Sequence, residues 1–122
     1  MTLKDIADRL VDGCRTGKEL ENLGRLYHPD AISVEAADYS GEGREVRGID
    51  GIKAKHEWWN SAFELHDAAV EGPFLHGDDR FAVIFTVDAT ERESGKRMKM
   101  REVAIYHVPD GKITREEFFG IG

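Results

Sequence analysis

Apolar residues recur at helical spacing in three stretches of the first half and at alternating spacing in nearly everything after Phe63. Leu3, Ile6, Ala7, Leu10, Val11 and Cys14 form one helix stripe, opened by Thr2 with Asp5 in the capping-box position. Gly13 and Gly17 interrupt it. Thr16 with Glu19 predicts a second capped helix, whose stripe is Leu20, Leu23 and Leu26 or Tyr27, and Pro29 discourages helix beyond His28. A short strand is expected over Ala31–Glu35, with Ile32 and Val34 alternating against Ser33 and Glu35. Residues 36–48 carry three glycines and many charges and read as a long hairpin connection with a weak return strand at Arg44–Arg47. Asp50 is the expected N-cap of a third helix ending near Asn60, its stripe built from Ile52, Lys55 or His56, Trp59 and Phe63.

Four alternating stretches follow: Phe63–Phe74, Phe81–Thr90, Met98–Val108 and Lys112–Phe119. Turn signals at Gly77-Asp78, Ser94-Gly95 and Pro109-Asp110-Gly111 join them into a meander. Two-residue turns would place Glu102 opposite Val87, Val87 opposite Ala68, and Ala89 opposite His66. The last turn allows two registers, with Glu102 beside Phe118 or Phe119 and either Glu116 or Glu117 on the same face. Met98, Met100, Ala104, Tyr106 and Val108 share that face with Glu102. A carboxylate among them is unusual and calls for a reason, which is catalysis, ligand binding or a buried ion pair. This oilier face should lie under the helices. The other face is apolar at its centre (Ile84, Val103, Ile105) and charged at its ends, with Asp88 expected to pair with Arg101.

Composition changes this picture only by exclusion. The 122 residues suit one domain spanning 1–122, and 40% hydrophobic with 34% charged residues is ordinary for a globular chain. A net charge of −7, with the basic residues interleaved among acids, argues against nucleic acid or an anionic membrane as partner. The single cysteine, Cys14, excludes an intrachain disulfide and fits a reducing compartment. Lys4, Asp5, Asp8 and Arg9 interrupt any signal peptide, and no stretch reaches the length of a membrane span, so the cytoplasm is expected. The five histidines show no metal-binding spacing, and neither a dinucleotide fingerprint nor a phosphate loop is present, so no metal and no cofactor are expected.

Several phrases resemble a known group. They are Tyr27-His28-Pro29-Asp30-Ala31 entering the first strand, Gly48-Ile49-Asp50-Gly51-Ile52 opening the third helix, and Asp110-Gly111-Lys112-Ile113 with Phe118-Phe119 closing the sheet. In order and spacing they resemble the nuclear transport factor 2-like superfamily and, within it, the SnoaL-like proteins. The resemblance implies an α+β, cone-shaped, cystatin-like fold, with three helices packed on a curved, largely antiparallel sheet of five to six strands around a pocket. It also implies a homodimer. Ketosteroid isomerase belongs to this superfamily, but its first-helix tyrosine has no counterpart here, and Glu35 matches its general base only loosely. Steroid isomerisation is therefore not expected.

Glu102 and His66 are the expected catalytic pair, on one face and roughly 12 Å apart between Cα atoms, with room for a small substrate between them. Desolvation should raise the Glu102 pKa and suit it to proton transfer near neutral pH. His56, Trp59, Phe85, Met100, Tyr106 and Phe118 are the expected binding residues. The function this supports is a pocket for a small, largely apolar carbonyl compound. It is either a cofactor-independent acid–base catalyst of isomerase, cyclase or dehydratase type, or a noncatalytic ligand-binding or interaction module. Uncovered Ile84, Val103 and Ile105 predict dimerisation through the outer sheet face.

Overall fold

The computed structural model describes residues 1–121. Helices α1 (Leu3–Thr16) and α2 (Glu19–Leu26) lead into β1 (Tyr27–Val34) and the short β2 (Glu45–Arg47). Helix α3 (Ile49–Ala62) then precedes the meander β3 (Phe63–His76), β4 (Arg80–Glu91), β5 (Arg97–His107) and β6 (Ile113–Gly120). The six strands form one sheet in the order β2-β1-β6-β5-β4-β3. Every pairing is antiparallel except β1 with β6, so the sheet is mixed.

The expected helix stripes supply the buried hydrophobic helix positions, except that Leu20 of α2 is exposed and only Ile52 of the α3 helix is fully buried. Ile6, Leu10 and Val11 of α1, Leu23 and Leu26 of α2 and Ile52 of α3 pack with Phe81, Val83, Ala104 and Tyr106 of the sheet. Each such side chain removed from water stabilises the fold by roughly 1.5–3 kcal/mol. Thr2 caps α1 with the reciprocal Asp5 bond, and Gly17 closes that helix in the left-handed conformation, where a side chain would be strained.

The other two expected caps do not form. Lys18 is the N-cap of α2 without a side-chain bond, and the Thr16 hydroxyl instead donates to the Asp12 carbonyl of the preceding helix. Gly48, at φ 83°, is the N-cap of α3, and Asp50 falls in its first turn. Strand β1 begins at Tyr27, four residues before the expected start, and accommodates Pro29 at an irregularity between Tyr27 and Ile32.

Two registers differ from those the turns predict. Glu102 lies opposite Phe85 because residues 92–95 make a four-residue loop. Across the other side Glu102 lies opposite Gly120, and Ala104 opposite Phe118. The shifts from Val87 to Phe85 and from Phe118 to Gly120 are of two residues and keep the faces, so Glu116 shares the face of Glu102; the Phe119 register would have put Glu117 there instead. Val87 does pair with Ala68, but Ala89 faces Leu65 because β3 carries one extra residue between Leu65 and Asp67. Asp88 sits opposite Lys99 and is held by Arg97 through two bonds of 2.8 and 2.9 Å, not by Arg101. Among the described residues no helix is long and apolar enough to cross a membrane.

Candidate functional site

Between the helices and the concave sheet face lies a cavity of about 360 Å³. Its apolar wall includes Leu10, Val70, Phe85, Val87, Met100 and Phe118. The size and mixed lining are those of a small-molecule pocket. Its polar residues form two groups.

The inner group centres on Glu116, which is only 2% exposed. The parallel pairing of β1 with β6 places Ser33 beside Glu116, and the Ser33 hydroxyl donates to Glu116 Oε2 at 2.9 Å. Tyr27 donates its hydroxyl to Glu116 Oε1. From α3, one turn beyond Ile52, Lys55 projects its ammonium into the same cluster. It donates to Ser33 Oγ, lies 2.7 Å from Glu35 Oε1 and 3.7 Å from Glu116 Oε2, and sits 5.0 Å from the centre of the Phe118 ring. Burial, with Glu116 beside it, pushes the Tyr27 hydroxyl pKa well up, so the phenol stays a donor. This cluster is closed on itself.

The outer group is Glu102 with Tyr39. Glu102 is half-buried, and among the described residues its one side-chain hydrogen bond comes from the Tyr39 hydroxyl, 3.5 Å from Oε1 and at the limit of such a bond. Desolvation raises the Glu102 pKa and the nearby Glu35 charge adds to that, against smaller lowering effects from Tyr39 and Lys55. Tyr39 is carried by the loop between β1 and β2, where Asp38 Oδ1 accepts from the Gly41 and Gly43 amides and shapes the turn. His56 also lines the cavity, and burial, aided by Lys55, lowers its pKa, which favours the neutral imidazole. Cys14 lines the wall with its thiol pushed up to about 12 by burial, so it is no nucleophile at neutral pH.

Seven of the eight expected site residues line this cavity: Glu102, His56, Trp59, Phe85, Met100, Tyr106 and Phe118. His66 does not. The extra residue in β3 reverses the alternation, so Leu65 faces the cavity while His66 is exposed with Nε2 2.6 Å from Thr90 Oγ1. Both tryptophans reach the cavity, where one was expected: Trp59 stacks on Phe63 with centroids 4.0 Å apart, and the more exposed Trp58 stands at the rim.

The inner cluster was largely illegible. Tyr27 reads as helix-end packing, and Ile32 and Val34 read as the inward face of β1. The early start and the irregularity of that strand instead turn Tyr27, Ser33 and Glu35 inward. The one available signal was Lys55, a charge on an otherwise apolar helix stripe. Among the described residues no group of three or more His, Cys, Asp or Glu side chains is arranged to hold a metal ion.

Three helices over a six-stranded mixed sheet, with a cavity between them that takes polar groups from both layers, define an α+β protein of the cystatin-like, nuclear transport factor 2-like class. The chain belongs to the SnoaL-like domain family, whose model matches residues 1–120. A solved structure from Mesorhizobium loti, provisionally assigned as a SnoaL-like polyketide cyclase, is 34% identical, with a TM-score of 0.89 over 98% of this chain and 99% of that one. A cystatin-like-fold protein from Xanthomonas campestris is 21% identical, with a TM-score of 0.75 over 100% and 92% of the two chains. TerC, crystallised with polyporic acid, is 25% identical, with a TM-score of 0.68 over 91% and 85%. No curated protein matches the chain.

Proposed function

We propose that the cavity binds a small, largely apolar carbonyl compound and that Glu102 moves a proton on it without a cofactor. The observation that supports this is the state of Glu102: a carboxyl facing an apolar cavity, without a cation of its own, and with its pKa raised by desolvation. Such a group accepts a proton from a carbon beside a carbonyl and returns it at the same or another position. Lys55 lies near enough to lower the Glu102 pKa but is shared between Glu35 and Glu116, so a hydrogen-bond donor for the developing enolate oxygen would be the Tyr106 hydroxyl, which lines the same cavity. Proton transfer of this kind underlies isomerisation, cyclisation and dehydration. The family membership, the similarity to the provisionally assigned cyclase and the polyporic acid in TerC agree with a small-molecule pocket.

The reading is tested by deuterium uptake. A panel of aryl and alkyl ketones is incubated with the protein in D2O, and exchange at the carbon beside the carbonyl is followed by NMR. Exchange by the wild type that is lost in Glu102→Gln supports the reading; equal exchange by both removes Glu102 from it.

A noncatalytic ligand-binding role is the second reading. It is favoured by His66, the other expected proton-transfer group, being engaged by Thr90 outside the cavity. Ligand binding without exchange of any bound ketone would select it. We also propose a homodimer through the sheet face away from the helices, supported by Ile84, Val103 and Ile105, which are only half-buried there. Sedimentation as a monomer at micromolar concentration would remove that part. Cytoplasmic residence remains the proposal that the lone cysteine supports.

A further inference from the structure

The charges around the cavity are unequal. Four carboxylates line it (Glu19, Glu35, Glu102 and Glu116) against two cations, Lys55 and Arg44. The two cations are unequally engaged, Lys55 being largely buried and Arg44 half-exposed. Lys55 is shared between Glu35 and Glu116, and Arg44 donates to the Glu35 carbonyl at 2.9 Å and approaches Glu117 at 4.0 Å. The uncharged polar groups are differently placed. Tyr106 is the cross-strand partner of Glu116, yet Glu116 takes its hydrogen bonds from Tyr27 and Ser33, which leaves the Tyr106 hydroxyl beside the cavity as a neutral donor. His56 stands on the α3 side of the same space.

Resting on the proposed small-molecule reading, we propose that this cavity selects uncharged aromatic carbonyl compounds and rejects the corresponding carboxylates, with Glu102 as the residue that sets the discrimination. A ligand carboxylate would enter beside Glu102 and Glu35, where Lys55 is already shared between two carboxylates and Arg44 keeps half of its side chain in water, in a space whose apolar walls screen charge poorly. A ketone oxygen needs only a hydrogen-bond donor, which Tyr106 supplies. Discrimination of this kind is built by repulsion of the wrong ligand as much as by attraction of the right one. The flat aromatic body fits the lining: Phe85, Phe118 and both tryptophans border the cavity.

The test uses two probes of nearly the same shape, 2-acetylnaphthalene and 2-naphthoate, at pH 7.5. The chain has two tryptophans and both line the cavity, so their indole N–H signals in a proton–nitrogen correlation spectrum report occupancy directly. The expected result is at least tenfold tighter binding of the ketone than of the carboxylate by wild type. In Glu102→Gln that ratio should shrink severalfold, mainly through tighter carboxylate binding, and the same spectrum shows whether the variant is folded. Equal affinity of the two probes for wild type overturns the charge selection while leaving the pocket intact. An unchanged ratio in folded Glu102→Gln overturns the assignment to Glu102. If neither probe moves either indole signal, the small-molecule reading fails and this inference fails with it. The wild-type pair decides the matter even if the variant does not fold.

Discussion

Two glutamates on one face of the same sheet have come to opposite conditions. Glu116 lies on β6 beside the parallel β1 and is surrounded by donors: Tyr27, Ser33 and Lys55. Glu102 lies on β5, opposite Phe85 and Gly120, and among the described residues its side chain is hydrogen-bonded only by the hydroxyl of Tyr39 on a surface loop. The carboxylate with both oxygens hydrogen-bonded and a cation beside it is committed to the fold. The one left nearly alone in an apolar setting is the one proposed to move a proton. A charge on an oily sheet face is therefore not by itself a site; what matters is whether the fold supplies its partners. The buried carboxylate is structural, and the half-buried one is the candidate for the proposed proton transfer.

The largest effect that would break this contrast is at the inner carboxylate. Glu116→Ala leaves the buried Tyr27 and Ser33 hydroxyls without their acceptor and Lys55 with one carboxylate instead of two. The expected loss is on the order of 3–5 kcal/mol, a fall of roughly 10 °C or more in melting midpoint. Melting within a degree or two of wild type would show that the cluster does not hold the fold.

At the outer carboxylate the expectation reverses. Glu102→Gln should melt close to wild type at neutral pH, while any exchange activity falls by about 100-fold or more. Its pH dependence has a definite sign. Because the folded protein raises the Glu102 pKa above its ordinary 4.5, the unfolded chain ionises first as pH rises. Wild type should therefore lose stability relative to Glu102→Gln as pH climbs above about 4.5, with the difference levelling off above the folded-state value. Melting curves of the two proteins from pH 4 to pH 8 test this, and the opposite trend would mean that Glu102 has a stabilising partner when charged.

His56 supplies a smaller effect of opposite sign. Its pKa is lowered by burial, so as pH falls below about 6.5 the unfolded state takes up a proton that the folded state resists. Stability should decline with acidification in that window, and His56→Gln should flatten the slope. An unchanged slope would mean that the imidazole is as easily charged in the cavity as in water.

The smallest effect is at the rim. Tyr39→Phe removes the hydroxyl that lowers the Glu102 pKa. The acidic limb of any exchange-versus-pH profile should move to higher pH, with the melting midpoint unchanged. A shift to lower pH would show that the contact favours the neutral acid.

The parts of this site legible in the sequence all follow from short-range periodicity. The i, i+3, i+4 stripes of α1 and α3 indicated which helix faces turn inward, and alternation along β5 put Glu102, Met100 and Tyr106 on one side of the sheet. A register error of two residues against β4, and of two against β6 for the Phe118 alternative, left that result untouched, because two residues restore the same face. An error of one residue is different. The extra residue at His66 inverted the alternation and sent an expected catalytic histidine out of the cavity, and no turn signal in the sequence marks it.

The inner cluster depended on still less local information. Tyr27 and Ser33 meet Glu116 across 89 and 83 residues, through the one parallel pairing in the sheet. Periodicity records which side of its own element a residue occupies. Which strand lies alongside, and therefore which carboxylate is neutralised and which is left to face a ligand, is decided only when the sheet assembles around the helices. Strand order is a property of the whole packed core, where covering one apolar face satisfies many segments at once, and no single segment encodes it.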